Sequence, residues 1–308
     1  MDKTPGVLTA KHQEQWSGNQ WFDKSILNDI DPAAQLHSEI INPRSSAAAC
    51  INTIGNIARN KQDLLIFLNQ FDLGVEDIIP FPTGATYEGE TYNDSGNVVF
   101  EWIGPKVSPI NERAGKRGQN RTSIDAYIVA TINGKTTQLL IEWKFTETYN
   151  GGTQLQKFAG TSGIERLRRY SSYLVKLRKQ PDFPLRMSED GGFGLQDLGY
   201  EPYFQLLRMT LLAKATTPFQ FDNGLKVEDY RIVHLLHSQN DRLNTLSRKQ
   251  VSCTPGLKEH CGRLLHEVWS ECILSESEAL KFRHGYWDQA ISCIPHGKLK
   301  KYLIKRYG

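Results

Sequence analysis

The spacing of apolar residues changes along this chain from helical to alternating and back. From Ala33 it is helical, pauses at "NPRSS", and resumes through "AAACINTIGNIARN" and "KQDLLIFLNQF". Pro43 belongs at a helix boundary, and Ser45 or Ser46 can cap the helix that follows. Residues 80–97, rich in Pro, Gly, Asn and Thr, read as a loop or irregular hairpin. Strands follow at 98–104, 123–132 and 136–145. The last two are joined at Asn133-Gly134, a pair that accepts the positive φ angles of a tight hairpin turn. A basic amphipathic helix (163–180), a loop (181–202), an apolar helix (203–215) and a short buried strand (230–238) come next, and helices at 257–275 and 288–306 close the pattern. This order predicts an α/β fold with a central mixed β-sheet flanked by helices. No Pro/Gly-rich linker divides it, which predicts a single domain over 1–308. Its core would span about 33–238, with a helical insertion at about 146–200 and a C-terminal helical extension at 257–308.

Side chains of a strand alternate faces, so Leu140, Glu142 and Lys144 share one face of 136–145, while Leu139, Ile141, Trp143 and Phe145 share the other. The second face is wholly apolar and must be packed. The first sets an acid and a lysine side by side at the end of a strand that is otherwise buried. The Asn-Gly turn makes 123–132 its antiparallel neighbour, which brings Asp125 from the start of one strand to the end of the other. Charges in such a place are costly unless paired or bound to a cation. Two carboxylates suit Mg²⁺, with Mn²⁺ as the substitute, and leave the ion several waters. A lysine beside them can orient or deprotonate water and neutralise charge on a phosphate, so the trio suits metal-assisted phosphodiester hydrolysis.

The segment before Asp125, "NERAGKRGQNR", carries Arg113, Lys116, Arg117 and Arg121 among glycines and amides, a composition suited to approaching a phosphate backbone. Gln205 and Arg208 interrupt the apolar helix at i,i+3 spacing, and either face the site or satisfy a buried carbonyl. The overall charge of +3 on 308 residues neither requires nor excludes nucleic acid. Five cysteines, an odd number in a chain of this length, argue against a disulfide scaffold. His260, Cys261, His266 and Cys272 lack metal-ligand spacing and fit a helix better than a zinc site. Residues 1–15 are polar, and no apolar run is long enough to span a bilayer, so a cytoplasmic protein with no membrane partner is expected.

Asp125 followed by Glu142-Trp143-Lys144, on a hairpin flanked by helices, resembles the PD-(D/E)XK nuclease superfamily of restriction-endonuclease-like folds. The resemblance covers the helix–strand–strand–strand–helix–strand order from about Ala33 to Ser238. One departure is Ile124, where many members have proline. The resemblance implies that Asp125 and Glu142 bind the metal and that Lys144 assists catalysis. It also implies a further acid from the first core helix, for which Glu39 is the candidate and Glu101 the competitor. An Mg²⁺-dependent endonuclease acting on DNA, in restriction or defence against foreign DNA, is then the expectation. The alternatives are a catalytically inactive nucleic-acid-binding or assembly module and an RNA-cleaving nuclease. Cleavage of both strands of a duplex would favour a homodimer.

Overall fold

The structure is a computed structural model and describes residues 21–34, 36, 40, 42–113, 115–117, 121–147, 156–186, 193–252, 254–295 and 297–308. Its centre is the expected hairpin. Strands β3 (Ile124–Ile132) and β4 (Lys135–Trp143) pair antiparallel, with Ala126 opposite Ile141 and Ile132 opposite Lys135. Asn133 and Gly134 have φ of 50° and 68°, the left-handed backbone that this turn requires and that asparagine and glycine tolerate. On the far side of β4 lies β5 (Asp229–Leu236), parallel to it, and beyond β5 lies β6 (Phe282–Tyr286), also parallel. The free edge of β3 is shared end to end: β1 (Val75–Ile79) covers Val129–Ile132 and β2 (Val99–Trp102) covers Ile124–Tyr127. The sheet is therefore mixed, as expected.

Helices cover both faces. On one side Ser45 caps α1 (Ser46–Cys50) by accepting the Ala48 N–H, as its place after Pro43 predicts. The helix runs on through a wider-wound turn at Ile51–Gly55 and through α2 (Asn56–Ala58) to α3 (Lys61–Asn69). These pack with Leu139, Ile141, Trp143 and Phe145, and with α6 (Lys298–Tyr307). On the other side α4 (Gly160–Leu177) and α5 (Tyr203–Ala215) pack with Leu140, Tyr127 and Val129. The alternation read from the sequence is thus the division between two cores.

Three expectations change. Strands β1 and β6 carry no strand signal in the sequence, yet both belong to the sheet. Two exposed acids, Glu76 and Asp77, stand within β1. In β6 the polar Arg283 and His284 and the breaker Gly285 hide the strand, and Gly285 is required because a Cβ there would lie 2.2 Å from the Phe71 ring. The expected helix 257–275 is instead a 3₁₀ turn (Pro255–His260) followed by the short segments Leu265–Glu267 and Val268–Ile273. The expected helix 288–306 is only Lys298–Tyr307, preceded by the turn Trp287–Ala290. The region after 257 is therefore not purely helical, since it supplies an edge strand. Residues 80–97 do contain a short hairpin, Ala85–Tyr87 with Glu90–Tyr92.

Candidate active site

The hairpin register, continued by one residue, sets Asp125 opposite Glu142. The Asp125 carboxylate closes the ladder: its Oδ2 accepts the Trp143 N–H at 2.7 Å. Glu142 is buried, and its Oε1 lies 2.5 Å from Lys144 Nζ, which is also buried. The backbone of this strand end is held from several sides. Lys144 donates its N–H to Leu235 O at 2.8 Å, Trp287 Nε1 donates to Lys144 O at 2.9 Å, and Ser46 Oγ donates to Trp143 O at 2.9 Å. Trp143 stacks on Trp287 with ring centres 4.4 Å apart. The structure thus brings Asp125, Glu142 and Lys144 together.

Glu101 joins them from β2. It takes a left-handed backbone conformation, φ 55°, inside a strand, which costs a non-glycine residue about 1–2 kcal/mol. The kink undoes the normal alternation, so that Phe100 packs in one core and Trp102 in the other. It also holds the Glu101 carboxyl beside the Ser123 hydroxyl, within reach of the charges on Glu142, Lys144 and Arg117. Glu39 lies outside the described residues, which leaves Glu101 as the described competitor for a third acid.

The electrostatics are those of crowded acids. Asp125 keeps part of its surface open, yet burial is the largest influence on it and pushes its pKa well above the usual carboxylate range. Glu142 adds to the rise, Lys144 opposes it, and Glu101 adds again. Burial likewise raises Glu101. The carboxylate oxygens are donors for a hard cation, and buried Glu142 Oε1 meets the Lys144 ammonium. Among the described residues no three His, Cys, Asp or Glu side chains converge on one metal position. Asp125 and Glu142 are two carboxylates, a ligand type that hard cations take alongside water.

Two neighbours escaped the sequence reading. Glu201, just ahead of α5, is buried. Burial raises its pKa against the pull of Lys144, Lys157 and Arg208, with Glu142 adding to the rise. His234 on β5 stands beside Glu142 in the parallel register and is buried, and among the described residues neither ring nitrogen finds a hydrogen-bond partner. Next to it across the sheet comes His284, stacked on His266 at 3.7 Å. Only the period-2 placement of His234 within "YRIVHLLHS" could have signalled it.

The basic loop divides. Arg117 is 1% exposed, lies 2.9 Å from Asp94 and 3.2 Å from Asp31, and donates to the carbonyls of Phe100 and Glu101. Arg121, 5% exposed, donates to the carbonyls of Ile103, Pro105 and Lys106. Both expected phosphate contacts are thus turned inwards, where they tie the loop to the sheet. Arg113 and Lys116 are exposed, and Arg113 pairs with Glu165 at 2.5 Å. Arg113, Arg168, Arg169 and Lys176 line an open groove of about 430 Å³ between this loop and α4. Gln205 is half-buried on α5, on the face it shares with Arg208.

The family described as Restriction Endonuclease associating with ARP matches residues 7–308. The chain belongs to that family. Its membership agrees with the restriction-endonuclease-like sheet described above and points to a nuclease. No curated protein and no solved structure matches the chain. Among the described residues of this family member, no helix is long and apolar enough to cross a membrane.

Proposed function

We propose that the chain is a Mg²⁺-dependent endonuclease that hydrolyses phosphodiester bonds in DNA, in restriction or defence. The observation that supports this most is the meeting of Asp125, Glu142 and Lys144 at one end of a buried hairpin. Asp125 and Glu142 would hold the ion, with the Glu101 carboxyl nearby. When bound, Mg²⁺ or Mn²⁺ supplies charge stabilisation at the phosphate and acidifies the attacking water. The residues of the chain do the positioning. Asp125 is fixed by the Trp143 N–H at Oδ2, so its other oxygen keeps one direction. Glu142 holds the Lys144 ammonium, which orients the attacking water and neutralises charge as the water oxygen bonds to phosphorus and the P–O bond to the leaving alcohol breaks. The exposed groove of Arg113, Arg168, Arg169 and Lys176 matches a polyanion. As the family's name implies, association with ARP is a further part of this proposal.

The test is to incubate the pure protein with plasmid, linear duplex, single-stranded DNA and RNA, with Mg²⁺, Mn²⁺ or EDTA. Cutting of DNA that EDTA abolishes is the expected result. Cutting of RNA alone would change the substrate, and binding without cutting under either metal would favour an inert module.

A further inference from the structure

A second polar constellation lies beside the trio and has no part in the chemistry above. Glu112 is buried and accepts hydrogen bonds from the Thr122 N–H (2.7 Å), the Thr122 hydroxyl (2.9 Å), the Tyr170 hydroxyl (2.7 Å) and Arg208 Nε (3.1 Å). These donors come from the approach to β3, from α4 and from α5. Burial alone would raise the Glu112 pKa. The Arg208 charge and the Thr122 and Tyr170 hydrogen bonds outweigh it and hold the group below its usual range, as a carboxylate.

Arg208 bonds through Nε alone, to Glu112 and to the Thr122 hydroxyl at 2.9 Å, and its guanidinium lies over the Phe204 ring at 5.2 Å. Among the described residues no acceptor is bonded to its two terminal nitrogens, and a fifth of the side chain stays exposed (20%). Gln205 and Arg208, at i and i+3, share one face of α5, with Glu201 just ahead of the helix. Arg208 lies on the trio's side of the sheet: it bonds Thr122, three residues ahead of Asp125, and α5 packs with Leu140 on the face of β4 that also carries Glu142. A guanidinium held at Nε keeps the parallel N–H pair that fits two oxygens of a phosphate. The ordering of a long side chain, normally a cost of binding, is already met by the Glu112 cradle.

We propose that Arg208 grips the phosphate next to the cut bond, with Glu112 as the positioning residue that aims it. This rests on the nuclease reading above. The experiment uses a DNA duplex that the wild type cuts, carrying one uncharged methylphosphonate at each position in turn. The comparison is among wild type, Arg208→Ala, Arg208→Lys and Glu112→Gln. For Arg208→Ala, KM should rise about 10- to 100-fold, the range of one charged hydrogen bond, with a smaller change in kcat. One methylphosphonate position should cost the wild type a similar factor and cost Arg208→Ala less than about twofold more. Glu112→Gln should raise KM in the same direction. Arg208→Lys, which keeps the charge, should fall between the two and provides the readout if Arg208→Ala does not fold. Penalties that multiply at every position, in a wild type that cuts DNA, would overturn the role of Arg208 alone. A wild type that neither cuts nor binds any of the duplexes would overturn the DNA-nuclease reading and this proposal with it.

Discussion

Asp125 Oδ2 takes the backbone N–H of Trp143 at 2.7 Å, so one carboxylate both ends the β3–β4 ladder and faces Glu142 across it. The metal binding proposed for Asp125 thus falls on a group that also has a structural duty, and the two conflict. A carboxyl whose folded pKa lies above its unfolded value favours folding in its protonated form. Its contribution is full below the unfolded pKa and is lost as pH rises through the folded pKa. At neutral pH the Asp125 charge is therefore a cost. Asp125→Asn keeps an oxygen for the Trp143 N–H and removes the charge, so the metal-free variant should melt above the wild type. With Mg²⁺ at a hundred times its Kd the wild type should gain about 2.7 kcal/mol and the variant nothing. Calorimetry with and without Mg²⁺ checks both statements. In wild type the Mg²⁺ affinity should weaken as pH falls, starting above the range of an ordinary carboxylate.

Lys144 is the test of chemistry. Its backbone contacts to Leu235 and Trp287 do not involve the side chain, so Lys144→Met should fold. It leaves the buried Glu142 without its cation, at a cost on the order of 3 kcal/mol in the metal-free state. Mg²⁺ should restore part of that. Cleavage should fall by about 10²- to 10⁴-fold while DNA binding persists. A variant that cuts at the wild-type rate would place the active site elsewhere.

Arg117→Ala should behave as a core mutation despite its place in a basic loop. It strands Asp31 and Asp94 in the interior and should cost about 3–5 kcal/mol by denaturant unfolding. The salt dependence of DNA binding, measured on the folded fraction, should stay unchanged.

The reverse is expected on α4. Replacing Arg168 and Lys176, both exposed, by Gln should leave stability within about 0.5 kcal/mol. The slope of log affinity against log salt should drop by roughly one per charge removed. An unchanged slope would show that this groove does not contact the phosphate backbone.

These contrasts show what the sequence can and cannot convey. The hairpin was legible because Asn133-Gly134 fixes a turn and the alternating residues around it fix two faces. The meeting of Asp125 with Glu142 follows from that local register alone. Arg117 and Arg121 were misread because nothing local reveals whether a loop cation finds its partner in water or in a distant acid such as Asp31. Glu112 and Glu201 sit in stretches without periodicity, where only the fold shows their burial. Strand β6 was hidden because its polar and glycine residues answer to Phe71 and His266 rather than to a strand pattern.

Strand β6 and Trp287 also give the molecule an order of assembly. The Asp125–Lys144 hairpin is made before Trp287, whose indole, 143 residues further along the chain, holds the Lys144 carbonyl and stacks on Trp143. Such long-range contacts form only after the intervening chain exists. In a growing polypeptide the acidic and basic groups of the proposed site are therefore present before the indole that supports their strand.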